Sequence, residues 1–246
     1  LIVVYFTKII GWQHIWLVAS LSILIFFLPL LFLSLQDQNI RHSNFTESIK
    51  DNEESKRWKT REVVVDKKFY VYLPLSIATS FIGTGLTFHQ IFIINQKGWT
   101  MDMLGSSYVF LGIFSIIGLI FGGPIIDKYN TKKIILFALL PLFLGVLTLI
   151  FFDSYYSMLV YMSLLGLNLG ITAPFIGSLW AELYGLESLG SVKALLHACG
   201  VFASALSPVI FGYIIDAGFG IVAISVISLV IIIVSTSLPI FYKHIE

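Results

Sequence analysis

Seven stretches of this chain, at about residues 15–35, 69–95, 105–126, 134–152, 156–180, 194–215 and 219–242, run without a single Asp, Glu, Lys or Arg. Each approaches or exceeds the roughly 20 apolar residues that a helix needs to cross a hydrocarbon layer of about 30 Å. In hydrocarbon every backbone N–H and C=O must be satisfied within the segment, so these runs read as helices. A membrane barrel would show alternating segments of about ten residues instead, and the sequence has no such pattern. Of the 246 residues, 57% are hydrophobic and only 12% charged, against about 25% charged in a soluble domain. So little polar surface excludes a soluble enzyme or a nucleic-acid-binding domain. The single cysteine, Cys199, excludes a disulfide framework and a thiolate metal site.

The charges that exist are concentrated. Residues 36–68 hold eight Lys/Arg and seven Asp/Glu, about half of the 29 charges in the chain. This stretch reads as a solvated linker with room for a short amphipathic helix. The other connections are a few residues long, which makes successive helices antiparallel neighbours. With the linker on the cytoplasmic side, the inside carries thirteen Lys/Arg and the outside only Lys8 and Lys97. This asymmetry predicts a cytoplasmic C-terminus. Leu1–Ile10 is apolar but too short to span. It reads as the end of a helix that begins earlier, so the chain is expected to be part of a longer protein. Residues 1–35 then close a first half, 36–68 link, and 69–246 form a six-helix bundle. One helix, a charged linker and six helices match the middle and second half of a twelve-helix transporter built from two six-helix repeats. On that layout, 15–35 is the sixth helix and the remaining spans are the seventh to the twelfth.

After the third span the chain reads Gly123-Pro124-Ile125-Ile126-Asp127-Lys128-Tyr129-Asn130-Thr131-Lys132-Lys133. This resembles the cytoplasmic loop signature of the major facilitator superfamily, G-x-x-x-D-R-x-G-R-K. Asp127 and Lys128 fall on its acidic and first basic positions, and Lys132 on the later basic position with Lys133 beside it. Asn130 replaces the usual Gly, and Asn is the non-glycine residue that best tolerates positive φ. Thr131 departs from the usual Arg. Gly11-Trp12, Phe88-His89-Gln90, Lys97-Gly98-Trp99, Glu182-Leu183-Tyr184-Gly185 and Gly212-Tyr213-Ile214-Ile215-Asp216 are similar to one bacterial branch, near the oxalate/formate-antiporter and monocarboxylate-porter-like members. The resemblance implies an all-α, polytopic secondary transporter that moves a small organic solute by alternating access, with the solute near the midplane. Carboxylate porters of this kind place a cation inside the eighth or eleventh helix. Here neither charge-free span, 105–126 or 194–215, contains one.

Intramembrane ionisable groups read as functional by default, and the spans offer only His89 and His197. Imidazole is the side chain suited to taking up and releasing a proton near physiological pH, so either position would suit proton coupling. The competing reading is a neutral histidine hydrogen-bonded to a neighbouring helix. Ser76, Ser80, Thr84, Thr87 and Gln90 recur at spacings of 4, 4, 3 and 3, within about 120° on one helix face. His89 falls opposite. Both faces would meet one cavity only if the helix broke, and Gly83 and Gly85 suggest where. Asn168 and Thr172 share a face one turn apart and complete the cavity candidates. Gly118-x-x-x-Gly122 and Gly166-x-x-x-Gly170 are small-residue packing motifs. Glu182 is the expected partner of Lys132 or Lys133. No H-E-x-x-H, phosphate loop or Ser/His/Asp set is present, so no enzyme, cofactor or metal is expected. The expected partners are the bilayer, a first half of the transporter and a small organic solute, with a proton as the candidate coupling ion. The alternative is a truncated remnant or membrane scaffold that transports nothing.

Overall fold

The structure, a computed structural model, describes residues 2–36, 57–129 and 137–243. It is all helical over those residues, in two compact units, Leu1–Lys56 and Arg57–Glu246.

The first unit holds α1 (Ile2–Ser22), a π-helical turn (Ile23–Phe27) and α2 (Leu28–Gln36). At Gly11 the backbone leaves the helix, with φ 77° and ψ 157°, a region open to glycine because it lacks Cβ. From Gly11 to Leu33 the chain is continuous, strongly apolar and long enough to cross a membrane.

The second unit holds α3 (Thr60–Val65), α4 (Lys67–Phe88), α5 (Gln90–Lys97), α6 (Met101–Lys128), α7 (Leu140–Phe151), α8 (Tyr155–Tyr184), α9 (Leu189–Asp216) and α10 (Ile221–Lys243). Five of these, α4, α6, α8, α9 and α10, are long and apolar enough to span. The 12 described residues of α7 are too few to span; the sequence-read span begins at 134, and residues 130–136 lie outside the described residues. Local chemistry sets the boundaries. Asp66 caps α4, its Oδ1 accepting from the Lys68 N–H at 3.0 Å. Thr100 and Ser154 cap α6 and α8 in the same way. Each cap satisfies an N–H that the first helical turn leaves without a partner. Gly98, at φ 66°, ends α5.

Residues 57–68, read from sequence as the end of the linker, fold onto the bundle. The Trp58 N–H donates to Ser188 Oγ at 2.7 Å, and Val63 on α3 is fully buried. The Trp58 ring meets Tyr184 edge-on, with centroids 5.2 Å apart. Tyr184 stacks on Trp180 and donates to Asp66 Oδ2 at 2.9 Å.

Two helix pairs organise the rest. The α6–α8 pair is the closest. A Cβ on Gly166 would run into the Leu111 carbonyl, and one on Gly170 into the Ser115 carbonyl. On the opposite helix, a Cβ on Gly118 would stand 2.7 Å from the Leu167 carbonyl, and one on Gly122 2.9 Å from the Pro174 ring. The two G-x-x-x-G motifs therefore face each other along one seam. The α4–α9 pair closes at Gly85, where a Cβ would strike Ser207 Oγ and the Phe211 ring. At the far end, Lys97 forms an ion pair with Asp153 at 2.5 Å, and Trp99 Nε1 donates to the Asp153 carbonyl at 2.7 Å. Gln96 Oε1 accepts from the Ile221 N–H at 2.6 Å, at the start of α10.

Candidate functional site

A cavity of about 1320 Å³ lies among α4, α6, α8 and α9. The α4 wall carries the polar stripe: Ser76, Ser80, Thr84 and Thr87 line the cavity, with Gln90 at the start of α5 and Thr79 beside them. The α8 wall is largely apolar, with Leu165, Leu169 and Ile176. Tyr108 on α6 donates to Gln90 Oε1 at 2.6 Å, which orients the Gln90 amide across one end. At the other end Trp180 Nε1 donates to Ser76 Oγ at 3.0 Å. Apolar walls with a few directed polar groups are the usual make-up of a site for a small molecule.

The structure sorts the eight sequence candidates. Ser80, Thr84, Thr87, Gln90 and His197 line the cavity. His89, Asn168 and Thr172 are not among its lining residues. His89 Nε2 bonds the Pro208 carbonyl on α9 at 2.9 Å. A carbonyl can only accept, so Nε2 carries the proton, and the ring ties two helices together. Asn168 is fully buried. It accepts from Thr79 Oγ1 at 3.1 Å through Oδ1 and donates to the Ala138 carbonyl at 2.9 Å. Thr172 Oγ1 returns to the Asn168 carbonyl at 2.6 Å. Asn168 thus joins α8 to α4 and to the turn before α7. The break suggested at Gly83 and Gly85 falls instead at His89, whose backbone (φ −91°, ψ 21°) separates α4 from α5. Gly85 is spent on the close approach of α9, and α4 runs unbroken through both glycines.

Sequence reasoning missed Lys193. It was counted with a loop because a charge-free window cannot include it, but α9 begins at Leu189. Lys193 therefore sits one turn inside a spanning helix, and it lines the cavity. The charge-free window 194–215 leaves this cation out by one residue. Tyr108 and Trp180 were missed as well, since an aromatic residue in an apolar run gives no periodic signal.

Of the loop motif, Asp127 and Lys128 end α6 exposed, with Lys128 Nζ 5.4 Å from the Tyr129 ring centroid. Gly123 has open space where a Cβ would stand; Gly122 makes the packing contact. Asn130, Lys132 and Lys133 lie outside the described residues, and with them the pairing to Glu182.

A family model for the Major Facilitator Superfamily matches residues 1–153 and, overlapping, residues 75–246. The chain belongs to the major facilitator superfamily. A D-xylose transporter of Levilactobacillus brevis is 28% identical over 102 residues, which cover 42% of this chain and 21% of that relative. The chain thus spans about a fifth of the length of the curated relative it matches. In a superfamily member the six long apolar helices are transmembrane helices, and the chain is an integral membrane protein.

Proposed function

We propose that this chain is a working part of a secondary transporter that moves a small, hydroxyl-bearing organic solute across a bacterial inner membrane. Its cavity forms one wall of a central site, a second six-helix half forms the other, and alternating access opens the site to either side. The observation that carries this reading is the α4 stripe. Ser80, Thr84 and Thr87 line open space in an apolar bundle, where hydrocarbon could not satisfy their hydrogen bonds but water or a solute could. The matched relative is a D-xylose transporter, and a pentose presents hydroxyls to such a wall. The Lys/Arg bias, thirteen against two, supports a cytoplasmic Lys67 end of α4 and a cytoplasmic C-terminus. His197 is the imidazole on the wall, which makes it the candidate carrier of a coupled proton.

Single cysteines placed at Ser80, Thr84, Thr87 and His89 in a Cys199→Ser background test the assignment. Water-soluble thiol reagents should modify the three wall positions in membranes, and a bound solute such as D-xylose should slow that modification. Labelling at position 89 with inert wall positions would overturn it.

A further inference from the structure

Residues 57–68 hold five Lys/Arg and two acids, and the fold sorts them by sign. Both acids are engaged by the protein itself. Glu62 Oε2 accepts from the Lys59 N–H at 3.0 Å, and Asp66 accepts from the Lys68 N–H and the Tyr184 hydroxyl. Arg57, Lys59, Arg61 and Lys67 are exposed, and none of these four forms an ion pair among the described residues. Lys67 and Lys68 also open α4 at the end where the helix dipole disfavours cations. The segment is not free to turn over, because the Trp58 N–H is held by Ser188 and Val63 is fully buried against the bundle.

The outward side is apolar as well as basic. Val64 and Val65 are exposed, Val65 to 75%, and so is Tyr70 in the first turn of α4. Depth gives these side chains a common surrounding. The 22 residues of α4 make about 33 Å of helix, which matches a hydrocarbon core of about 30 Å. Lys67 therefore stands at one boundary of the core, and α3, joined to it through Asp66, lies at headgroup depth. A flank that only fixed topology would need a surplus of cations and nothing more. Here the acids are consumed, while cations and valines share the outer side, as in segments that lie in a charged membrane interface. We infer that residues 57–68 form a docking surface for anionic phospholipid. Arg57, Lys59, Arg61 and Lys67 meet the lipid phosphates, and Val64 and Val65 enter the boundary with the acyl chains. The inference requires α4 to cross the membrane and is independent of what the cavity carries.

The test uses the purified full chain in nanodiscs, with Val65→Cys in a Cys199→Ser background carrying a polarity-sensitive nitrobenzoxadiazole probe. Phosphatidylglycerol mixed into phosphatidylcholine should shift the probe emission to the blue and slow its quenching by acrylamide, a neutral quencher. Raising the salt from about 0.1 M to about 1 M, which shortens the Debye length from about 10 Å to about 3 Å, should reverse both effects. Each basic residue near an anionic surface is worth about five-fold in affinity. Arg57→Gln, Lys59→Gln and Arg61→Gln together should therefore abolish the shift, whereas Arg57→Lys with Arg61→Lys should keep it. The salt arm leaves the basic residues in place and reads the charge even if the triple variant fails to fold. Inorganic phosphate added to phosphatidylcholine nanodiscs should leave the emission where it was, since it brings no bilayer charge. An emission already blue in pure phosphatidylcholine, a shift that survives high salt or the three glutamines, or one that inorganic phosphate reproduces, overturns the inference.

Discussion

Gly170 and Asn168 lie two residues apart on α8 and show why polar and small residues in a membrane helix are hard to assign from sequence. Both could have lined a cavity, and both are spent on packing. Gly170 admits the Ser115 carbonyl and Leu119 amide of α6, the latter 2.8 Å from where a Cβ would stand. Asn168 satisfies groups on α4 and before α7. The partners that decide these roles are distant in sequence, so no local pattern reveals them. The small-residue spacing was legible because it repeats on one face; its partner helix was not. Gly170→Ala should destabilise the bundle by about 1–3 kcal/mol, since an added methyl meets backbone that cannot rotate away. Gly112→Ala, where nothing lies within 4 Å, should be neutral or slightly stabilising because alanine favours helix. Denaturation in mixed detergent micelles compares the two, and equal stabilities would sink the account of the seam.

At the scale of helices, hydropathy located every long apolar element but placed some ends wrongly. The α9 helix starts at Leu189, five residues before its charge-free window, because a helix continues through a lysine that a hydropathy window rejects. The α4 helix stops at His89, where the ring is held by the Pro208 carbonyl, a contact invisible in sequence. The short α3 helix lies at the end of the stretch read from sequence as a charged linker, and its docking depends on Trp58 and Tyr184, which are 126 positions apart. The Tyr184 hydroxyl fastens this region to Asp66. Tyr184→Phe removes that bond while leaving the Asp66 cap on α4 intact. Trypsin should then cut between Arg57 and Lys68 about ten-fold faster, as expected when one hydrogen bond to a charged group no longer opposes local opening. Unchanged cleavage would show that aromatic packing alone holds the segment.

Across the whole molecule, the two rims of the bundle are fastened by different means. One rim rests on buried aromatic rings around Tyr184, the other on the Lys97–Asp153 pair and the Trp99 and Gln96 hydrogen bonds. Asp127 ends α6 on the first rim, exposed and with no place on the cavity wall. Asp127→Asn should therefore slow uptake into proteoliposomes several-fold while leaving the order of preference among solutes unchanged. An altered order at normal rate would assign Asp127 to recognition instead. The glycine seam between α6 and α8 also bears on inheritance. Any single-base missense change in a glycine codon brings in a residue with at least one more carbon. At Gly166 and Gly170 even that carbon collides with the opposing backbone. The closest joint in the bundle is thus written in codons with no harmless missense neighbour.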